Sequence, residues 1–304
     1  MESYKLSNGY KMPVLGLGTD DVFYLRKLRR SRNKYINYLL WMYQSHILKP
    51  ILDYKLSNVI CEALKMGYRM IDTSAAYNNE KAIGRAIKKS RIPREDLFVT
   101  TRVTNQQQYD RSVRVGFFKS LKALGLDYVD LYQFHWPVPN YFLDTWKEIE
   151  QLYKEGYIKA IGIANCHQHH IEEILKVCEI PPMVNEIEVH PLFSQKPLIE
   201  YCKSHNIRVE AYTPLARNDE RLRRNRVLLQ LSEKYNKTPL QIILRWHIEN
   251  GVIPIPRSTN INRLKQNLSV FDFHLTEEEV KMVDGININS RLRYDPDNCD
   301  YTIL

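Results

Sequence analysis

The chain has 304 residues, 44% of them apolar and 26% charged, a balance that supplies a sizeable core and excludes a disordered protein. No apolar run approaches the roughly 18 residues of a membrane span, and the opening Met1-Glu2-Ser3-Tyr4-Lys5 lacks the apolar stretch of a signal peptide, so a cytoplasmic protein is expected. The formal charge of +9 is uneven, because residues 20 to 55 hold eight Lys or Arg against three Asp and leave only +4 for the rest, a pattern of a local insertion rather than of a uniformly basic nucleic-acid binder.

In chain order the first signal is a hairpin, Tyr4-Lys5-Leu6 and Tyr10-Lys11-Met12 around Asn8-Gly9, which supplies the positive φ of a tight turn. Short apolar runs then predict eight strands, at Val14–Leu17, Tyr68–Ile71, Leu97–Thr101, Tyr128–Phe134, Ala160–Ile163, Met183–Ile187, Arg208–Ala211 and Val252–Ile255. Between them fall helical patterns at Ser57–Lys65, Glu80–Ser90, Asp110–Leu124, Leu143–Lys154, Ile171–Cys178 and Pro197–His205, and over Val227–Asn250 with a break at Thr238-Pro239. Alternating β and α elements imply parallel strands with right-handed crossovers, and eight such units predict a single-domain (β/α)8 TIM barrel over residues 1–304. An open doubly wound sheet would need a glycine-rich first turn, and Gly16-Leu17-Gly18-Thr19-Asp20-Asp21 does not complete G-x-G-x-x-G.

An insertion of about 20–53 follows the first strand. Leu25, Leu28, Tyr35, Leu39, Met42 and Ile47 fall near helical spacing, with Arg26, Lys27, Arg29, Arg30 and Lys34 largely off that stripe, which predicts a basic amphipathic helix. Three roles stay open for it: a lid over the barrel mouth, a patch for membrane or nucleic acid, and a solvated helix without a role.

In a barrel of this kind chemistry sits where the strands end. There the chain reads Asp72-Thr73-Ser74-Ala75-Ala76-Tyr77-Asn78-Asn79-Glu80 and His135-Trp136-Pro137. With Met12-Pro13-Val14-Leu15-Gly16-Leu17-Gly18-Thr19, Ile161–Asn165, Val184–Pro191, Ala211–Leu215 and Ile253–Ser258, seven motifs in order resemble the aldo-keto reductases, in their prokaryotic, diketogluconate-reductase-like form. The resemblance covers nearly all of the chain outside the insertion. It implies an NADPH-dependent reductase of a small aldehyde or ketone, with Tyr77 as general acid, Arg102 as the cation that lowers its pKa, Asp72 holding Arg102, and His135 orienting the carbonyl. For the cofactor it implies Asn165 and Glu186 at the nicotinamide amide, Tyr212 stacked on the ring, Leu215 to Arg217 beside the pyrophosphate, and Arg257, Ser258, Thr259, Arg263 and Asn267 at the 2′-phosphate and adenine. Two arginines and a helix start after Asn260 are chemistry that suits a phosphate dianion.

Three positions depart from the family pattern: Arg102 where lysine is usual, Ala164 where serine is usual and Glu186 where glutamine is usual. They motivate a rival reading, a catalytically weakened nucleotide-binding sensor or scaffold of the same fold. A second rival is an interaction protein that works through the basic insertion. Cys61, Cys166, Cys178, Cys202 and Cys299 are an odd, scattered set with no C-x-x-C, which argues against a thiolate zinc site or disulfide framework. The run Cys166-His167-Gln168-His169-His170 reads as the polar start of a helix, because no carboxylate stands at ligand spacing along the chain, and no metal is expected. The expected partner is a small carbonyl compound, with neither nucleic acid nor membrane, in a monomer or weak dimer.

Overall fold

The structure is a computed structural model, and it describes residues 2–20 and 34–303. Strands β1 (Ser3–Lys5) and β2 (Lys11–Pro13) pair antiparallel. Their link is looser than a two-residue turn: Leu6 N–H donates to the Tyr10 carbonyl (2.9 Å) and Gly9 N–H to the Leu6 carbonyl (2.8 Å), with Gly9 at φ +82°.

Eight parallel strands follow in sequential order: β3 (Leu17–Gly18), β4 (Met70–Asp72), β5 (Phe98–Val103), β6 (Val129–Phe134), β7 (Ile158–Ala164), β8 (Val184–Glu188), β9 (Arg208–Tyr212) and β10 (Ile253–Pro254). The two outermost strands meet, since Gly16 N–H donates to the Pro254 carbonyl (3.1 Å) and Gly18 N–H to that of Pro256 (3.3 Å). That approach needs glycine, because a Cβ on Gly18 would lie 2.7 Å from the Ile255 carbonyl oxygen. The result is the expected barrel, with each strand found within three residues of its predicted start.

The helices between the strands are α1 (Lys34–Met42), α2 (Lys49–Met66), α3 (Glu80–Ser90), α4 (Asn105–Tyr109), α5 (Val113–Leu124), α6 (Phe142–Lys154), α7 (Gln168–Val177), α8 (Lys196–Ser204), α9 (Glu220–Arg223), α10 (Arg226–Tyr235), α11 (Pro239–Glu249), α12 (Ile261–Leu268) and α13 (Glu277–Asp284). Between the third and fourth strands one helix was expected, at Asp110–Leu124. Instead Thr104 caps α4 by accepting from Gln107 N–H, while Gln107 Oε1 accepts from Thr104 N–H, and the chain turns before α5. α13 was not anticipated, although Thr276 and Glu279 form the same reciprocal cap.

The insertion corrects its expectation most. A six-residue π-helical stretch, Tyr43–Leu48, joins α1 to α2, and both junction residues keep helical dihedrals, so the helix predicted at Ser57–Lys65 begins far upstream. Leu25, Leu28, Arg26, Lys27, Arg29 and Arg30 lie outside the described residues. Among the residues of the expected stripe whose side chains are described, Tyr35, Met42 and Ile47 are 68%, 38% and 52% exposed. No helix among the described residues is long and apolar enough to cross a membrane.

The C-terminal segment runs along the carboxyl ends of the strands. Leu292 and Arg293 N–H donate to the Glu188 carboxylate at the end of β8 (2.7 and 3.0 Å). Tyr301 packs edge-on against Trp136 after β6, and its carbonyl accepts from Asn105 (3.0 Å).

Candidate active site

The loop after β4 is tied down by side chains. Thr19 donates to the Asp72 carbonyl (2.8 Å), Thr73 to Asn79 (2.7 Å) and Asn79 to the Thr19 carbonyl (2.9 Å). This triangle fixes the short 3-10 turn Ala75–Tyr77, which turns Tyr77 toward the barrel axis, where its ring meets that of His135 edge-on at 5.7 Å.

Arg102, on β5, is fully buried. It donates from Nε to Glu186 (2.9 Å), from Nη1 to the Thr73 carbonyl (2.8 Å) and more distantly to the Tyr77 oxygen (3.5 Å), and from Nη2 to both Asp72 and Glu186. Asp72, Tyr77, Arg102 and His135 are thus brought together at the ends of β4, β5 and β6, and Asp72 does contact Arg102. Gln133 adds a donor to Glu186 (2.5 Å).

In this arrangement Glu186 turns one carboxyl oxygen to the guanidinium. A carboxylate beside a buried guanidinium gains more from a charge-assisted bond than from a neutral amide, and its Oε2 accepts from Arg102 twice and from Gln133 once. Arg102 does pull the Tyr77 pKa down as expected, but the net shift is upward. Burial pushes the phenol well above its ordinary value, and although Arg102 pulls it down, Asp72, Asp20 and Glu186 push it up. His135 is held neutral, its pKa lowered to about 3 by burial and by Arg102 and Arg293, so a neutral imidazole faces the site.

Two residues of this wall escaped the sequence reading, Gln133 and Glu210. Glu210 pairs in register with Glu186 across β8 and β9, is fully buried, and has no hydrogen-bond partner on either carboxyl oxygen. Burial first, then Glu186 and Asp72, push its pKa well above the carboxylate range against the pull of Arg102. Asp72 is pushed up as well, to about 8, chiefly by burial, and Glu210 is the member of this acidic cluster without a bond to the guanidinium. A charged residue at an inward position of an otherwise apolar strand, Val209-Glu210-Ala211, was the available signal.

The remaining expected residues spread from β7 to α12. Asn165 is buried, donating to the His135 carbonyl (2.9 Å) and accepting from the Tyr212 hydroxyl (2.6 Å). Leu215 is half-buried ahead of the 3-10 turn Ala216–Asn218, in which exposed Arg217 has φ 54°. Arg257 is exposed and donates to the Asp20 carbonyl (2.7 Å), Ser258 accepts from Asn260 N–H (3.1 Å), and Thr259 and Arg263 are exposed at the positive end of α12. Asn267 instead faces inward, buried beside the Tyr68 phenol.

A sequence model of the aldo/keto reductase family matches residues 40–288. The glyoxal reductase of Bacillus subtilis (strain 168) is 40% identical over 296 residues, 97% of this chain and 96% of its own. A crystal structure of an aldo-keto reductase from a Medee basin deep-sea metagenome library superposes with a TM-score of 0.86 at 39% identity, covering 98% of this chain and 100% of the other. The Bombyx mori aldo-keto reductase in complex with NADP gives a TM-score of 0.83 at 32% identity, covering 97% and 96%.

Proposed function

The chain belongs to the aldo/keto reductase family of oxidoreductases, and we propose that it reduces a small aldehyde or ketone to the alcohol at the expense of NADPH, with Tyr77 as proton donor. The observation that carries this reading is the Tyr77 hydroxyl held beside Arg102 and edge-on to neutral His135 at the carboxyl ends of three adjacent strands. The exposed guanidinium groups of Arg257 and Arg263 at the start of α12 fit a phosphorylated nucleotide, and the NADP complex of the Bombyx mori relative supports that cofactor. NADPH, when bound, supplies the hydride.

The chain's own residues handle the proton. Tyr77 stays protonated because its pKa is high, so it is loaded as an acid across the neutral range. As it gives its proton to the carbonyl oxygen, Arg102 stabilises the phenolate, while Asp72 and Glu186 fix the guanidinium in place. His135, uncharged, can donate a hydrogen bond to the substrate oxygen without competing as an acid. Small α-oxoaldehydes are favoured as substrates by the glyoxal reductase relative.

Glu186 on Arg102 rather than facing outward, with Ala164 in place of a hydroxyl, favours one second reading, a nucleotide binder with little turnover. Following NADPH absorbance with glyoxal, methylglyoxal and a panel of larger aldehydes and ketones separates the two. Turnover of any of them supports the reductase. Tight NADPH binding with no turnover across the panel supports the second.

A further inference from the structure

His167, His169 and His170, at the start of α7, converge on one carboxylate from a distant part of the chain. His167 Nδ1 lies 2.7 Å from one oxygen of Asp297, and His169 Nε2 and His170 Nε2 lie 3.1 and 3.6 Å from the other. The carboxylate they share is delivered by the fold, 130 residues along the chain from His167. We propose that His167, His169 and Asp297 form a binding site for a divalent transition-metal ion of the Zn²⁺ class, which would fasten the C-terminal segment to the loop between β7 and α7.

The donor set is two imidazoles and a carboxylate, which suits Zn²⁺ and its borderline neighbours and leaves further positions for water. The three ligand atoms lie within 4.8 Å of one another. Bonds of about 2.0–2.2 Å at tetrahedral angles place neighbouring ligand atoms about 3.3–3.6 Å apart, so shifts of under about 1 Å in exposed His169 and Asp297 and half-buried His167 bring them to the ion. His169 and Asp297 are 51% and 44% exposed, which gives the ion access.

His170 is a neighbour rather than a ligand. Its Nδ1 accepts from His167 N–H (3.2 Å), so its proton is on Nε2, the nitrogen facing Asp297. His167 gives up a proton position: with Nδ1 on the metal its proton moves to Nε2, where Arg291 now stands at 3.2 Å. Arg291 also lies over the Phe193 ring, 4.6 Å away, and its guanidinium must turn from that nitrogen when the ion binds.

Asp297 is presented, not dangling. Its N–H donates to Asp295 (3.1 Å) in a local turn, and the segment is anchored on one side at Glu188 and on the other at Trp136 and Asn105. The positive end of α7 opposes a cation, so the Asp297 charge is what makes the site workable. Removing it is expected to harm binding most.

The test uses the full chain, stripped with a chelator and titrated with Co²⁺ and then Zn²⁺. Expected are visible Co²⁺ ligand-field bands that saturate at one ion per chain and are displaced by Zn²⁺, with a rise in Tm on Zn²⁺ addition. His169→Gln and Asp297→Asn should each weaken binding more than about tenfold and abolish the Tm rise, while His205→Gln leaves both unchanged. Far-UV circular dichroism of each variant confirms folding. Absence of Co²⁺ bands in the parent, or equal affinity in the His169 and Asp297 variants, would overturn the site.

Discussion

Behind Tyr77, the side chains of Arg102, Asp72, Glu186 and Glu210 are enclosed by the barrel, with three of the four bonded to one another, whereas at α12 Arg257 and Arg263 stand in solvent. A charge that cannot reach water must find its partner within the protein, so a substitution in the wall drags its neighbours with it. An exposed guanidinium has water as an alternative and can be changed alone. This accounts for the pattern of departures. Arginine at position 102 and glutamate at 186 meet in a direct ion pair, and we read them as one coupled change rather than two losses.

The largest effect should come from the group at the front of that wall. Tyr77→Phe is expected to lower kcat by about 10²–10⁴-fold while leaving NADPH affinity within about twofold, because the hydroxyl acts only when the carbonyl is protonated. A variant that turns over at the parent rate would place the acid elsewhere.

Next comes the coupling itself. Arg102→Met strands Asp72 and Glu186 in the barrel and should cost on the order of 3–5 kcal/mol of stability, read by denaturant unfolding. Arg102→Lys cannot reproduce the two bonds made to Glu186 and should also destabilise, though less. Adding Glu186→Gln to Arg102→Lys should recover stability beyond the sum of the single changes. Additive values across this cycle would mean that the two residues do not act as a unit. Glu186→Gln alone should shift the alkaline limb of the kcat profile to lower pH, since the Glu186 charge is one of those raising Tyr77.

At the exposed end the changes should be separable. Arg257→Ala is expected to weaken NADPH by about tenfold and NADH hardly at all, and Arg257→Ala with Arg263→Ala should show nearly additive losses in a fluorescence titration. Equal losses for both cofactors would remove the 2′-phosphate from this position.

How much of this was legible follows the same division. Strand ends carry local signatures, so Asp72, Tyr77, Arg102 and His135 could be grouped from sequence, and the barrel followed from the alternation of elements. What could not be read was direction and partner. Glu186 lies 84 residues from Arg102, and nothing in either segment says that the carboxylate turns to the guanidinium. Likewise Asp297 is 130 residues from His167, and only the path of the C-terminal segment puts them together. The sign of the Tyr77 shift depended on burial and on three acids at once, which no spacing encodes. The role of the insertion was not legible for another reason, since an apolar stripe shows that a helix is amphipathic without saying what it packs on.

The smallest effect tests whether the wall stores a proton. In the folded chain Glu210 titrates well above 4.5, its ordinary value, because it is buried next to Glu186 and Asp72. Unfolded, the same carboxyl ionises near that ordinary value. Between the two, the native chain holds one proton more than the unfolded chain, so this residue makes stability fall as pH rises, by at most about 1.4 kcal/mol per pH unit. Below the ordinary value both states are protonated and the residue contributes no slope. Glutamine has the same shape and does not ionise, and its amide can donate to Glu186 on the neighbouring strand. Glu210→Gln should therefore match the parent in Tm near pH 4.5 and exceed it by a widening margin toward pH 9. Asp72 is raised as well, so part of the parent's alkaline slope should persist in the variant. Parallel Tm curves for variant and parent across this range would show that Glu210 is ionised in the fold, and the barrel wall would then need a second cation to hold it.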